Sequence, residues 1–197
     1  FDRLLIVGHY PVQNYHRRVS LGTPIHDGDR NIVSIDGGNA VKSDGQLNAL
    51  VLQGNNIAFH RADNFHPARV TGAQAASSNP INITWPWRAV RVLQAGPERS
   101  LCRHLDSGRE LYIPNRCISH YKNEAQAAYT DYFLPLSPGD IVGVIEAVDG
   151  EVAFVKHGDT AGLARLALLE SGGPPPSPSG PFPLLDYRAV QREDFAP

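Results

Sequence analysis

The chain has 197 residues, of which 42% are hydrophobic and 19% charged, and its formal net charge is −2. That much apolar content supports a packed core and excludes a disordered chain. The near-neutral balance supplies no basic field for nucleic acid and no polybasic anchor, and the longest apolar run, Asp140–Val148, is strand-length, so neither nucleic acid nor a membrane is an expected partner.

In chain order, region 1–70 reads as short strands with turns: Leu4–Val7, Asn31–Asp36, Leu47–Leu52 and Asn56–His60. The last two are split by Gly54-Asn55, a β-hairpin signal. The chain holds no methionine, and Phe1 runs almost directly into the first apolar strand, so the expectation is the C-terminal part of a longer polypeptide. Region 71–84 is rich in Gly, Ser, Ala, Asn and Pro without periodicity and reads as a linker. Region 85–169 is again β by pattern, with candidate strands Arg88–Leu93, Ser100–His104, Glu110–Ile113, Asp140–Val148, Val152–Lys156 and Gly162–Leu166. Asp149-Gly150 predicts a tight hairpin between two of these, and strands at this spacing suggest a small barrel. Cys102 and Cys117 form no Cys-x-x-Cys pair and carry no disulfide framework, which fits a reducing compartment and a cytoplasmic location. Region 170–197 is dominated by prolines between Pro174 and Pro183 and is expected to be a poorly ordered tail.

Two segments concentrate the chemistry. In Val7-Gly8-His9-Tyr10-Pro11 a strand ends, a glycine permits close approach, and an imidazole projects from the strand's C-terminal edge, where α/β sheets place ligands. In Ile32-Val33-Ser34-Ile35-Asp36-Gly37-Gly38-Asn39 a carboxylate closes a second strand beside two glycines, and an Asx turn is the plain alternative. The other histidines have no ligand spacing, and Arg17-Arg18 reads as a solvated basic pair.

The succession GHYPV, NIVSIDGG and GQLNALVL, covering about residues 1–61, resembles the C-terminal end of calcineurin-like metallophosphoesterases, in the branch of bacterial serine/threonine phosphatases and symmetrical diadenosine-tetraphosphatase-like enzymes. The resemblance implies a two-metal site acting on a phosphate-ester substrate, with His9 as one metal ligand and Asp36 and Gly37 at the substrate edge. Upstream segments of the Asp-x-His, Gly-Asp-x-x-Asp-Arg and Gly-Asn-His-Glu type do not occur in this chain. No catalytic residue is therefore assigned, the chain alone is expected to be inactive, and the incomplete ligand set does not choose among Mn, Fe and Zn.

A second stretch, Tyr129-Thr130-Asp131-Tyr132-Phe133-Leu134-Pro135-Leu136-Ser137-Pro138-Gly139-Asp140-Ile141-Val142, resembles the first loop and following strand of a Src-homology-3 (SH3) barrel. It implies a Pro-rich peptide bound by Tyr129 and Tyr132. The competing reading is that both rings fill a small barrel core. The fold class expected is thus mainly β: the truncated C-terminal β-sheet part of an α/β metallophosphoesterase fold plus an SH3-like barrel region. The functional alternative is a non-catalytic β-rich interaction module binding a peptide.

Overall fold

The computed structural model describes residues 2–54, 56–85, 87–172, 182–186 and 188. It is mainly β, a propeller-like arrangement of small sheets, and among the described residues the helical elements are short 3-10 turns. The N-terminal part contributes β1 Leu5–Val7, β2 Ser20–Leu21, β3 Ile25–Asp27, β4 Ile32–Ser34, β5 Leu47–Gln53, β6 Asn56–Ala62 and β7 His66–Val70. There follow β8 Asn82–Ile83, β9 Ala89–Gln94, β10 Arg99–His104, β11 Glu110–Pro114, β12 Ile118–Tyr121, β13 Glu124–Ala127 and β14 Tyr129–Thr130. The remainder is β15 Ile141–Ala147, β16 Val152–His157, β17 Thr160–Arg165, β18 Leu169–Ser171, β19 Phe182–Pro183 and β20 Leu185–Asp186.

Every strand predicted from a β-branched or aliphatic run is present within a residue or two at its ends. The β5–β6 hairpin pairs continuously from Leu47↔Ala62 to Gln53↔Asn56, and Gly54 takes the positive φ of 59° that so tight a turn needs. The β15–β16 connection differs from the two-residue turn expected. Val148 N–H donates to Val152 O at 2.9 Å, leaving Asp149, Glu151 and Gly150 in the loop. Asp149 Oδ1 accepts from Glu151 N at 2.8 Å and Val152 N at 2.9 Å, so its carboxylate, not a positive φ at Gly150, makes the turn.

The single barrel expected over 85–169 is not what forms. β9 to β13 make a sheet ordered β11-β10-β9-β13-β12, while β15 to β18 join strands from the N-terminal part in a sheet ordered β18-β7-β15-β16-β17-β2. The reason is two separate cores. Val142, Ala153, Val155 and Ala164 pack with Val70 and Leu134 in one, and Ile83, Val90, Cys102 and Ile113 pack in the other. Each fully buried Val, Leu or Ile side chain here contributes about 1.5–3 kcal/mol. The segment 71–84 is likewise built in, not a free linker. Ile81, Asn82, Ile83 and Thr84 are buried, β8 pairs with β14, and Asn82 Nδ2 donates to His16 O at 2.8 Å.

Of the expected tail, β18 pairs with β7, and β19 and β20 return to β6 and β3. Phe182 lies against Phe59 with ring centroids 5.5 Å apart. Residues 173–181, 187 and 189–197 lie outside the described residues.

Candidate functional site

β1 pairs parallel with β4 in the register Leu5↔Ile32, Ile6↔Val33 and Val7↔Ser34. Parallel pairing brings both C-terminal strand ends to one edge, so the loops carrying His9 and Asp36 leave from neighbouring points. Two hydrogen bonds tie these exits together: Ile35 N–H donates to Val7 O at 3.0 Å, and Val12 N–H donates to Asp36 O at 2.9 Å. Beyond Pro11 a 3-10 turn, Val12–Tyr15, buries Val12 against Ile25 and sets Tyr10 edge-on to Tyr15 at 5.0 Å. Burial, followed by the nearby Tyr15, pushes the Tyr10 hydroxyl above its usual pKa.

His9 is exposed and has a φ of 73°. A non-glycine residue in this region stores strain of order 1–3 kcal/mol, and such residues cluster at functional sites. Asp36 is half-buried, and its Oδ1 accepts from Gly38 N–H at 2.8 Å in an Asx turn. Gly37 is buried, and its carbonyl accepts from Gln46 N at 2.9 Å and from Gln13 Nε2 at 2.8 Å. The close approach that Gly37 permits is therefore made to the chain itself: an added Cβ would lie 2.2 Å from Gln46 O.

At this edge His9 and Asp36 do not by themselves make a three-ligand set. Among the described residues no group of three or more His, Cys, Asp and Glu side chains could hold one. Structural and catalytic zinc sites take at least three protein ligands of this kind.

No family model, curated protein or solved structure matches this chain.

Tyr129 and Tyr132 occupy different environments. Tyr129, on β14 opposite Ile83, packs against the core of the five-stranded sheet and against Val148, Val152 and Leu163. Tyr132 packs instead against the core of the six-stranded sheet. Burial raises both hydroxyl pKa values. Both rings pack beside hydrophobic clusters, each against a different one. Arg17 is exposed, and it stacks over Trp87 at 4.3 Å and pairs with Asp106 at 3.0 Å.

Sequence reasoning missed a buried polar network around Lys156. Lys156 on β16 has a side chain only 2% exposed, and its Nζ donates to Asp44 O at 3.0 Å and lies 3.7 Å from Asp63 Oδ2. Burial dominates and holds the ammonium below its usual pKa, opposed first by Asp63 and then by Asp44 and Asp159. Asp159 accepts from Thr23 Oγ1 at 2.9 Å, from Gln46 Nε2 at 3.3 Å and from Arg61. These bonds join the loops around residues 20–63 to β16 and β17. No local motif announces them, because each partner is about a hundred residues away in sequence.

No helix among the described residues is long and apolar enough to cross a membrane.

Proposed function

We propose that this chain is the C-terminal part of a metal-dependent phosphoesterase, contributing His9 as one metal ligand and Asp36 and Gly37 to the edge facing the substrate phosphate. The observation that carries the reading is the φ of 73° at an exposed His9, at the end of a strand paired in parallel with the strand that leads to Asp36. A strained, solvent-facing imidazole at a C-terminal sheet edge has a functional rationale and little packing rationale. The GHYPV, NIVSIDGG and GQLNALVL succession supplies the chemistry, and the other ligands would come from segments this chain lacks. A second feature supports the same reading. β1 lies at the edge of its sheet, and Leu5 and Ile6 are 41% and 46% exposed, as expected where a further strand of a metal-binding half would add.

The test uses the complete polypeptide that contains this chain, assayed on p-nitrophenyl phosphate with Mn²⁺. His9→Ala should lower kcat/KM by orders of magnitude, whereas the 197-residue chain alone should show no turnover. A wild-type rate for His9→Ala removes the ligand assignment, and turnover by the isolated chain removes the requirement for an upstream half.

A further inference from the structure

The five-stranded sheet and the central part of the six-stranded sheet repeat one arrangement. In each, a three-stranded meander, β9–β10–β11 or β15–β16–β17, runs into a three-residue 3-10 turn, Asn115–Cys117 or Leu166–Leu168. The turns are entered at φ −55° and −69° and left at φ −103° and −110°. The strand after the turn, β12 or β18, pairs with a fifth strand, β13 or β7, that lies beside the first strand of the meander. The spatial orders β11-β10-β9-β13-β12 and β17-β16-β15-β7-β18 therefore correspond, and each copy has a register shift between the first two strands of its meander. Counting back from the turns, Tyr112 matches Leu163 and Glu110 matches Ala161.

The copies differ at the outer edge of the third strand. On β17 that edge is covered. Ala161 pairs with Ser20 of β2. Leu163 N–H donates to Tyr132 O at 2.6 Å and Leu163 O accepts from Leu134 N–H at 3.0 Å, a parallel bridge centred on Phe133. Phe133 packs, with Phe154 from opposite Leu163, against the cluster that holds Leu163, which is left 3% exposed. β11, in contrast, is the last strand of its sheet. His104 N–H donates to Arg109 O and Asn115 N–H to Glu98 O, each at 2.8 Å, so residues 109, 111, 113 and 115 face β10. The backbone groups of Glu110 and Tyr112 then face outward, and no described residue hydrogen-bonds to them. Opposite Tyr112, Leu101 takes the place of Phe154, and Tyr112 is 58% exposed.

We propose that the β11 edge binds an extended segment of a partner polypeptide by strand addition, as 132–134 covers β17 within the chain. The occupant runs parallel to β11 and bonds to both the N–H and the carbonyl of Tyr112. It sets an aromatic side chain, in the place of Phe133, on Tyr112 and Leu101. Main-chain bonds supply the attachment and the aromatic residue the selectivity. The flanking charges are spent on each other, since Arg103 pairs with Glu110, so the contact is apolar and main-chain in character. Pro114 has no N–H to offer, which confines the open edge to Glu110 and Tyr112 and makes the occupant short, like the segments on β17. This edge plays no part in the phosphoesterase reading.

The probe is the acetylated and amidated hexapeptide with the chain's own sequence from Asp131 to Leu136, titrated into the ¹⁵N-labelled 197-residue chain. It should shift the amides of Leu101, Glu110 and Tyr112 saturably and slow hydrogen exchange at Tyr112. Methylating the peptide nitrogen that corresponds to Leu134 N removes the donor to Tyr112 O and leaves the protein untouched. That change should weaken binding about tenfold, and replacing the peptide's phenylalanine by alanine should weaken it by a similar factor. Absence of saturable shifts at these amides, or equal affinity for either altered peptide, overturns the proposal. So does a dimer in sedimentation velocity with the Tyr112 amide protected before peptide is added, which would give the edge to a second copy.

Discussion

Gly37→Ala is the sharpest structural perturbation at the candidate edge. The new Cβ would lie 2.2 Å from Gln46 O, 2.8 Å from Asn48 Nδ2 and 2.9 Å from Gln46 Cγ, and the first of these is backbone that no rotamer change can move. Reaching an ordinary contact of 3.4 Å requires a displacement of about 1.2 Å, the difference between 3.4 and 2.2 Å. Gln46 cannot yield freely, because its N–H donates to Gly37 O at 2.9 Å and its Nε2 donates to Gly22 O at 3.0 Å and Asn48 Oδ1 at 2.7 Å. A shift of that size also removes the bond from Gln13 Nε2 to Gly37 O, and Gln13 is 1% exposed with its Oε1 already unpartnered. Overpacking together with a stranded buried amide costs about 2–4 kcal/mol. For a chain of this size that corresponds to a fall in Tm of about 4–16 °C. Thermal unfolding followed by circular dichroism should be run beside Gly8→Ala, where an added Cβ meets nothing within 4 Å, and which should stay within about 0.5 kcal/mol of wild type. If Gly37→Ala melts within about 1 °C of wild type, the close approach of the two backbones is refuted.

Lys156 gives a pH prediction with a definite sign. Its folded pKa lies below the unfolded value of 10.5, so the unfolded chain binds more protons between the two, and the stability carried by this group rises with pH through that window. Urea unfolding from neutral pH upward should show wild type gaining on Lys156→Met as pH approaches 10.5, and a pH-independent difference would contradict the burial of the ammonium. Phe59→Ala should cost about 3–5 kcal/mol, because a large side chain with no exposure is removed from beneath β19. The same substitution should abolish the hydrogen-exchange protection of Phe182, whose ring rests on Phe59; retained protection would separate the two.

What was readable in the sequence follows the range of the interactions. β5, β6, β15, β16 and β17 carry aliphatic runs closed by turn residues, so their existence could be read locally. β13, Glu124–Ala127, offers only Glu, Ala and Gln, residues that favour helix, yet it pairs with β12 and β9 and buries Ala125 and Ala127. Its conformation is imposed by the neighbours that cover it, which is how context overrides strand propensity. The same holds for 71–84, where polar composition suggested a linker. Asn82 reads as a loop residue until its carboxamide is seen to reach Gln13 O at 3.3 Å and His16 O at 2.8 Å, bonds that span 69 and 66 residues. Strand pairing also crosses between the two β regions, since β7 pairs with β15 from Val144↔His66 to Ile141↔Arg69. The candidate edge was legible because a glycine after one strand and an Ile-Asp-Gly-Gly turn after another are local signals, and the parallel β1–β4 register brings them to one side. The Lys156 network was not legible, since Asp44, Asp63 and Lys156 come from separate stretches of chain. Bonds of that range can be assigned only after every other partner is in place.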